Sequence, residues 1–302
     1  MLPRETLARA ALAAATLMWS GNFIAGRALR GQIDPASLNL LRWALCLAVF
    51  APWVALRCWR SREAIVREWR LLVALGGTGI AAFHTLVYLA LSHTTAINAL
   101  LMLSLAPVAI LLACAFTQGR RPVAGEWLGC LLSLAGAALL ITAGRLQVLR
   151  EPSLAIGDLW MLGAVVAWTA YSLLLRRRPA DLPQDVTLAA SIVPGLVLLL
   201  PAVALLRGTQ AVVLTPALAF GLAYIALFAS LLAFLLWSWG SDILGAAQAG
   251  QFVHLMPLFG AALAVGLLGE SVAPWQLAGA VFVFAGLALG QRAANRSVAV
   301  SQ

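Results

Sequence analysis

The polar side chains within the long apolar stretches of this chain are of types that bind solutes reversibly. They are amides, imidazoles, phenols and an indole, at Asn22, His84, Tyr88, Asn98, Trp168, Tyr171, Gln248, Gln251 and His254. Such groups are costly to bury in apolar surroundings, so they are usually retained for a function. Together they predict a binding site for a small molecule.

The spacing of these residues places several of them side by side on helices. His84 and Tyr88 are four residues apart, which puts them on one helical face. Gln248, Gln251 and His254 follow one another in steps of three and cover an arc of about 120°. For each candidate a second interpretation stays open, because amides can serve as interhelical hydrogen bonds and imidazoles as buried neutral packing groups.

Catalytic and metal-binding chemistry is not expected from the sequence. It contains no Ser/His/Asp set, no phosphate-binding loop and no metal-ligand cluster. The four cysteines, Cys46, Cys58, Cys114 and Cys130, have no metal-ligand spacing and are interpreted as buried free thiols. We therefore expect neither an enzyme nor a bound cofactor or metal.

The composition indicates an integral membrane protein. Of 302 residues, 63% are hydrophobic and 10% charged, whereas soluble domains are typically about 45–50% apolar and about 25% charged. The net charge of +9 comes from arginines alone, which sit in short clusters between apolar runs. That arrangement is typical of membrane topology and argues against a nucleic-acid partner; the lipid bilayer is the partner it predicts.

Ten apolar runs are long enough to cross a hydrocarbon core, which takes about 20 helical residues. They are continuous, without the alternation of a β-barrel. We number them as spans 1 to 10, near 7–28, 37–57, 71–92, 94–117, 126–143, 157–177, 186–206, 217–238, 244–268 and 274–291.

The arginines between the spans are distributed unequally between the two sides of the membrane. Fourteen lie on the side of the two termini and five on the other, while Arg42 lies inside span 2. Because cytoplasmic loops carry the excess of basic residues, both termini are predicted to be cytoplasmic in a bacterial inner membrane.

The second half of the sequence repeats the first. A shift of 150 residues places Pro107 on Pro257, Gly129 on Gly279 and Gly136 on Gly286 without a gap. A shift of 149 places Trp19 on Trp168 and Arg27 on Arg176. The sequence therefore predicts two repeats, at 1–150 and 151–302, with spans 1–5 in the first and 6–10 in the second.

An odd number of spans in each repeat has a consequence for topology. A five-span unit followed by its copy must cross the membrane in the opposite direction, as in many secondary transporters. The predicted fold is thus all-α, with ten transmembrane helices in two inverted five-helix repeats and substrate near the midplane.

Two prolines occupy matched positions in spans 4 and 9. Pro107 and Pro257 would break these matched helices, and such a break serves either substrate binding by freed carbonyls or bending. The glycines of spans 5 and 10 predict a scaffold or a dimer contact, in a monomer or homodimer.

Several short segments resemble the EamA-type members of the drug/metabolite transporter superfamily. They are Trp19-Ser20-Gly21-Asn22-Phe23, Leu41-Arg42-Trp43, Gly157-Asp158, Pro257, Gly269-Glu270 and Gln276-Leu277-Ala278-Gly279. The resemblance extends over the whole chain and implies a ten-span exporter. One departure is Gln118-Gly119-Arg120-Arg121, at a position where that family often has Gly-Glu.

Charged residues near the spans narrow the expected substrate. No Asp or Glu lies in the central part of a span, which favours a neutral or zwitterionic solute such as an amino acid. Arg42 could reach a substrate carboxylate, or it could extend to the outer interface. Asp158 and Glu270 are expected at the outer rim in structural roles. The alternative function is export of drugs or quaternary ammonium compounds through cation–π contacts.

The predicted topology can be tested with reporter fusions. A reporter at Gln302 should be active only on the cytoplasmic side, and one inserted at residues 145–156 only on the outer side, because an odd number of spans separates them. A matched fusion in the Arg-rich segment 58–70 serves as a second cytoplasmic control. Reporters at Gln302 and 145–156 that label the same side would contradict the ten-span arrangement.

Overall fold

The computed structural model describes residues 4–106, 108–110, 112–113, 123–142, 155–206, 212–244 and 252–300. Within these ranges the regular elements are helices, which confirms the predicted all-α class. In chain order they are α1 Arg4–Ala28, α2 Pro35–Arg60, the short α3 Arg62–Arg67, α4 Trp69–His93, α5 Ala96–Leu103, α6 Ala124–Ile141, α7 Ile156–Leu175, α8 Gln184–Leu206, α9 Pro216–Leu244, α10 Met256–Leu268 and α11 Pro274–Val300.

Ten of these described helices, all except α3, fall on the ten apolar runs of the sequence. Five of them, α2, α4, α7, α8 and α9, are both long and apolar enough to cross a membrane. The apolar helical stretches in α5, α6, α10 and α11 are shorter. The helices are those of a polytopic membrane protein, and the crossing of all ten stays a prediction.

Local sequence signals fix where several helices begin and end. The carboxylate of Asp34 accepts a hydrogen bond from the Ser37 backbone N–H at the start of α2. Thr95 and Thr215 cap α5 and α9 in the same way. Such caps satisfy backbone N–H groups that have no partner within the helix. The helix α10 ends at Gly269, which has φ 66°, a left-handed conformation that glycine adopts readily.

The contacts between helices occur in matched pairs that relate the two halves. The α4–α7 contact corresponds to the α1–α9 contact, and the α5–α7 contact to the α1–α10 contact. Three further contacts, α2–α8, α5–α10 and α6–α11, each join a helix to its own counterpart. The fold therefore carries an approximate internal two-fold relation that follows the sequence repeat.

A π-helical segment occurs at the corresponding place in both halves. It spans Gly76–Ala82 in α4 and Tyr224–Leu232 in α9. Polar side chains bond to carbonyls in these segments, with Asn39 donating to Ile80 O at 2.8 Å and Ser230 to Ile225 O at 2.8 Å. Such wide turns are rare and are frequently found at functional sites, so these two segments mark the region where a site is expected.

Ion pairs join the two halves at the arginine-rich face. Arg57 at the end of α2 pairs with Asp185 of α8 at 2.5 Å. Arg67 of α3 donates two hydrogen bonds to Asp181, at 2.7 and 3.0 Å, which lower the pKa of that exposed carboxyl. Exposed pairs of this kind contribute little to stability, so we interpret them as contacts that set the position of α8 at this face.

The helices α6 and α11 pack closely against each other through small residues. A Cβ built at Gly129 would lie 2.5 Å from the Gly286 carbonyl oxygen, and one at Gly136 would lie 2.7 Å from that of Gly279. Ser133 adds a hydrogen bond to Val283 O at 3.2 Å. Backbones that approach this closely are typical of glycine-lined membrane helices, and they give this pair the geometry of a scaffold.

Adding a single methyl group at this contact should destabilise the protein. We expect Gly129→Ala to lower the free energy of unfolding by about 1–3 kcal/mol, as overpacked contacts do, because the new Cβ meets rigid backbone. The matched control is Gly266→Ala, where nothing lies within 4 Å of the new atom. Both can be measured by size-exclusion chromatography of detergent-solubilised protein after heating. Equal thermal midpoints for the two variants would contradict the close-packed contact.

Candidate substrate-binding site

A buried arginine lies at the meeting point of four helices. Arg42 of α2 is 2% exposed. Its Nε donates to Ser230 Oγ of α9 at 2.7 Å, and its Nη1 donates to Asn22 Oδ1 of α1 at 3.2 Å and to the Tyr88 hydroxyl of α4 at 2.9 Å. The Tyr88 hydroxyl in turn donates to Asn22 Oδ1 at 2.8 Å. The guanidinium is thus the centre of a polar cluster contributed by both halves.

The charge of Arg42 is not neutralised by the described part of the chain. The ion pairs found there involve other arginines, and the hydrogen-bond partners of Arg42 are all neutral. Its Nη2 makes no hydrogen bond to the described residues. The Trp43 ring lies 5.1 Å from the guanidinium carbon, a favourable cation–π contact. Burying an ion costs several kcal/mol, so an anionic partner would be strongly favoured here.

Glycines in α1 allow the tyrosines of this region to approach. A Cβ at Gly21 would lie 2.0 Å from the Tyr224 hydroxyl oxygen, and one at Gly26 would lie 2.9 Å from the Tyr88 ring. Tyr224 uses this space to donate to Met18 O at 3.1 Å. The segment Trp19-Ser20-Gly21-Asn22-Phe23 therefore supplies an acceptor for Arg42 at Asn22 and space for the Tyr224 hydroxyl at Gly21, while Gly26 leaves the space for Tyr88.

An aromatic group adjoins the polar cluster through Trp43. The centroid of the Trp43 ring is 5.5 Å from that of His84, and Phe83 lies 4.8 Å from His84 and 4.9 Å from Trp168. Trp168 continues to Tyr171 at 5.4 Å. His84 Nδ1 is 3.0 Å from Gly79 O in the π segment of α4, and Nε1 of Trp43 is buried without a hydrogen-bond partner. The aromatic side chains of Phe83, His84, Trp168 and Tyr171 thus lie next to two hydrogen-bond donors that have no acceptor among the described residues. These donors are Nη2 of Arg42 and Nε1 of Trp43.

The structure brings together five of the residues predicted from sequence. Asn22 and Tyr88 contact Arg42 directly, while His84, Trp168 and Tyr171 form the adjoining aromatic group. Asn98 lies elsewhere, and its amide donates to Asp158 and Thr94.

Four predicted residues fall wholly or partly outside the described region. Gln248, Gln251 and Pro107 lie outside the described residues, as does the side chain of His254. The break predicted at Pro257 takes the form of a 3₁₀ turn, Val253–Leu255, followed by the first turn of α10. Ser20 of α1 donates to Met256 O at that junction, at 2.9 Å.

The sequence offered Arg42 only as a residue that could reach a substrate carboxylate, and the residues selected for the site left out Arg42, Trp43 and Ser230. The interpretation that Arg42 extends to the membrane interface is wrong, because the buried guanidinium is held by three neutral side chains. A detectable signal was present, since Arg42 lies in the interior of a span, whereas the other arginines lie at span ends or between spans.

Removing the shared acceptor should destabilise the cluster. Asn22→Ala deprives both Arg42 and Tyr88 of a hydrogen bond and should lower the free energy of unfolding by about 1–3 kcal/mol, the usual effect of an unsatisfied buried group. Ser172→Ala is the matched control, because among the described residues the Ser172 hydroxyl bonds only to Trp168 O of its own helix. Thermal midpoints in detergent report the difference. An unchanged midpoint for Asn22→Ala would show that Arg42 does not need this acceptor.

A solved crystal structure and several sequence relatives cover nearly the whole chain. The crystal structure aligns with 96% of this chain and 98% of its own, at a TM-score of 0.62 and 21% identity, which shows a shared fold. A transporter described as uncharacterized in Archaeoglobus fulgidus is 24% identical over 278 residues, 92% of this chain and 95% of its own. The transporter YdeK of Bacillus subtilis, also described as uncharacterized, is 30% identical over 265 residues, 86% and 88% of the two chains.

A further relative is named for a function, and a family model matches both halves. A "Probable terminal-alkyne amino-acid exporter" of Streptantibioticus cattleyicolor is 25% identical over 282 residues, 93% of this chain and 92% of its own. The model of the EamA-like transporter family matches residues 7–142 and again residues 155–290. The resemblance expected from the short sequence segments is therefore confirmed, and this chain belongs to the EamA-like transporter family.

Proposed function

We propose that this transporter exports small zwitterionic metabolites, such as amino acids, across the bacterial inner membrane by alternating access. Its two halves would be inverted five-helix repeats with both termini in the cytoplasm. Substrate would bind between them, at the cluster around Arg42. The matched helix contacts and the odd number of spans in each half support this architecture.

The observation that carries the proposal is the buried Arg42 guanidinium with neutral ligands. A guanidinium can bind a carboxylate through its N–H groups, and because Nε and both hydrogens of Nη1 are already donated, a carboxylate would be bound here through Nη2. In the described structure Nη2 is free of hydrogen bonds, and the indole N–H of Trp43 is a further donor without an acceptor. A carboxylate would supply the negative charge and the acceptor oxygens that this place lacks.

The aromatic group suggests how the remainder of such a substrate is held. Phe83, His84, Trp168 and Tyr171 form a wall next to Trp43. Aromatic faces accept apolar side chains and ammonium groups alike. A zwitterion could therefore place its carboxylate at Arg42 and its other groups along this wall.

The position of Arg42 also suggests how binding is linked to movement. Arg42 lies in the first half, and its bond to Ser230 crosses to the second half. A carboxylate at the guanidinium would compete with or reinforce that bond. Binding would thus change a contact between the two halves, which alternating access requires.

Export of quaternary ammonium compounds fits this site less well. A buried, uncompensated positive charge repels a cationic solute, and the described residues place no carboxylate near Arg42 to offset it. The S. cattleyicolor relative is named as a probable amino-acid exporter. That name adds to the argument from Arg42 for an amino-acid substrate.

The proposal is tested by counterflow of labelled amino acids in proteoliposomes. Wild-type protein should exchange at least one amino acid, and the corresponding amino-acid amide, which lacks the carboxylate, should compete at least about tenfold more weakly, because a buried charge left unpaired costs more than 1.4 kcal/mol. Arg42→Gln should abolish exchange. Arg30→Gln, which removes an exposed charge, is the matched control.

Two results would contradict the proposal. One is equal competition by the amide and the amino acid, which would remove the carboxylate from recognition. The other is undiminished exchange by Arg42→Gln. Normal folding of each variant is established by its size-exclusion profile, so that loss of transport is not confused with loss of protein.

A further inference from the structure

A second buried cluster joins the two halves near the predicted outer face. It consists of Asp158 in the first turn of α7, and of Thr94 and Asn98 at the start of α5. Asn98 Nδ2 donates to Asp158 Oδ1 at 2.8 Å and to Thr94 Oγ1 at 3.1 Å. Asp158 and Asn98 are each 4% exposed. Asp158, which was expected at the outer rim, is thus enclosed between helices in the first turn of α7.

The carboxyl of Asp158 has no cationic partner among the described residues. The nearby Arg27 is already engaged, because it donates to Leu91 O at 2.7 Å and lies 3.9 Å from Glu270. Glu270 in turn accepts the backbone N–H groups of Ala96 and Ile97, at 3.0 and 3.2 Å. Two carboxyl groups thus lie around the start of α5. Glu270 has a cation and two backbone donors, whereas Asp158 has neutral neighbours only among the described residues.

The amide of Asn98 has an unsatisfied atom at the same place. Its Oδ1 is buried without a hydrogen-bond partner. An ionised Asp158 would accept hydrogen bonds from Asn98 Nδ2 and the Thr94 hydroxyl, but no cation among the described residues would balance its charge. A protonated Asp158 instead brings an O–H group, which can donate to the Thr94 hydroxyl oxygen.

We propose that Asp158 is a proton-binding site: its carboxyl carries a proton while α5 and α7 are in contact, and releases it when the helices separate and water reaches the carboxyl. The start of α7 favours the ionised form through the helix dipole. Loss of hydration in an enclosed site without a cation is the larger effect and favours the neutral form. A bound proton therefore stabilises the contact, and rising pH weakens it.

The other ionisable groups around this corner do not replace Asp158 in that role. His93 lies on the α4–α5 corner, with its Cβ 3.0 Å from the Cβ position of Gly157, and its side chain is exposed. Glu270 and Arg27 compensate each other. The proton site does not depend on which solute is carried, whereas its effect on transport rests on the proposed alternating access.

Infrared spectroscopy of the purified protein tests the proton site directly. At mildly acidic pH the wild-type spectrum should contain the carbonyl stretch of a protonated carboxylic acid that fades as the pH rises, and carboxyl-¹³C-aspartate should shift that band. Asp158→Asn should lose it. Glu270→Gln, the matched control, should keep it, because Glu270 has a cation and two backbone donors. A wild-type spectrum without an aspartate-derived band, or a band that persists in Asp158→Asn, would overturn the proposal, and the first result needs no variant.

The link to transport is tested by counterflow at a series of equal inner and outer pH values. Wild-type exchange should be slow at low pH and rise with pH, because protonated Asp158 holds α5 and α7 together. Asp158→Asn should be slow throughout and lose the pH dependence, and His93→Gln should keep the wild-type profile. The same pH profile in wild type and Asp158→Asn would exclude Asp158 from the cycle. Failure of the amino-acid hypothesis would appear instead as absent exchange in wild type, with the infrared band unaffected.

Discussion

The central constraint on this structure is the burial of one guanidinium without a carboxylate to neutralise it. Arg42 is held by Ser230, Asn22 and Tyr88 from three helices of the bundle. Each of these partners must be placed within hydrogen-bond distance, because an unsatisfied buried charge destabilises the fold by several kcal/mol. The convergence of α1, α2, α4 and α9 at this point follows from that requirement.

Two further features of the bundle follow from the same requirement. The π segment of α9 places Ser230 so that its hydroxyl accepts from Arg42 and donates to Ile225 O. Gly26 of α1 leaves the space that the Tyr88 ring occupies. Among the described residues, the pair α6–α11 contributes no ligand to Arg42, and its glycine contacts serve close packing. Close helix packing is thus provided by α6 and α11, and the hydrogen bonds to Arg42 are provided by other helices, α1, α4 and α9.

Much of the helical organisation could be predicted from the sequence, because apolar length and arginine clusters are local signals. The helices fall on the predicted runs, and residues such as Asn22 and Tyr88 were selected because polar groups there are few. For Arg42 the sequence left two roles open, contact with a substrate carboxylate and extension to the outer interface, and could not decide between them. Whether a long side chain extends outward or inward depends on neighbours from distant helices, such as Ser230, 188 residues away in the chain. The enclosure of Asp158 by α5 could not be predicted either, because it depends on a contact with Asn98, 60 residues away in the chain.

The arginines of this protein differ in function according to what neutralises them. Arg57 and Arg67 pair with aspartates, and Arg27 lies close to Glu270. All of these contacts lie near helix ends, where a permanent acidic partner holds the helix ends in one position. If Arg42 had a fixed carboxylate as well, an incoming carboxylate would have to displace it, and the site would gain little from binding. Neutral ligands hold the guanidinium in place and leave its charge available. The absence of an acid at the centre of the spans, noted first in the sequence, is therefore the condition under which Arg42 can recognise an anionic group supplied by the solute.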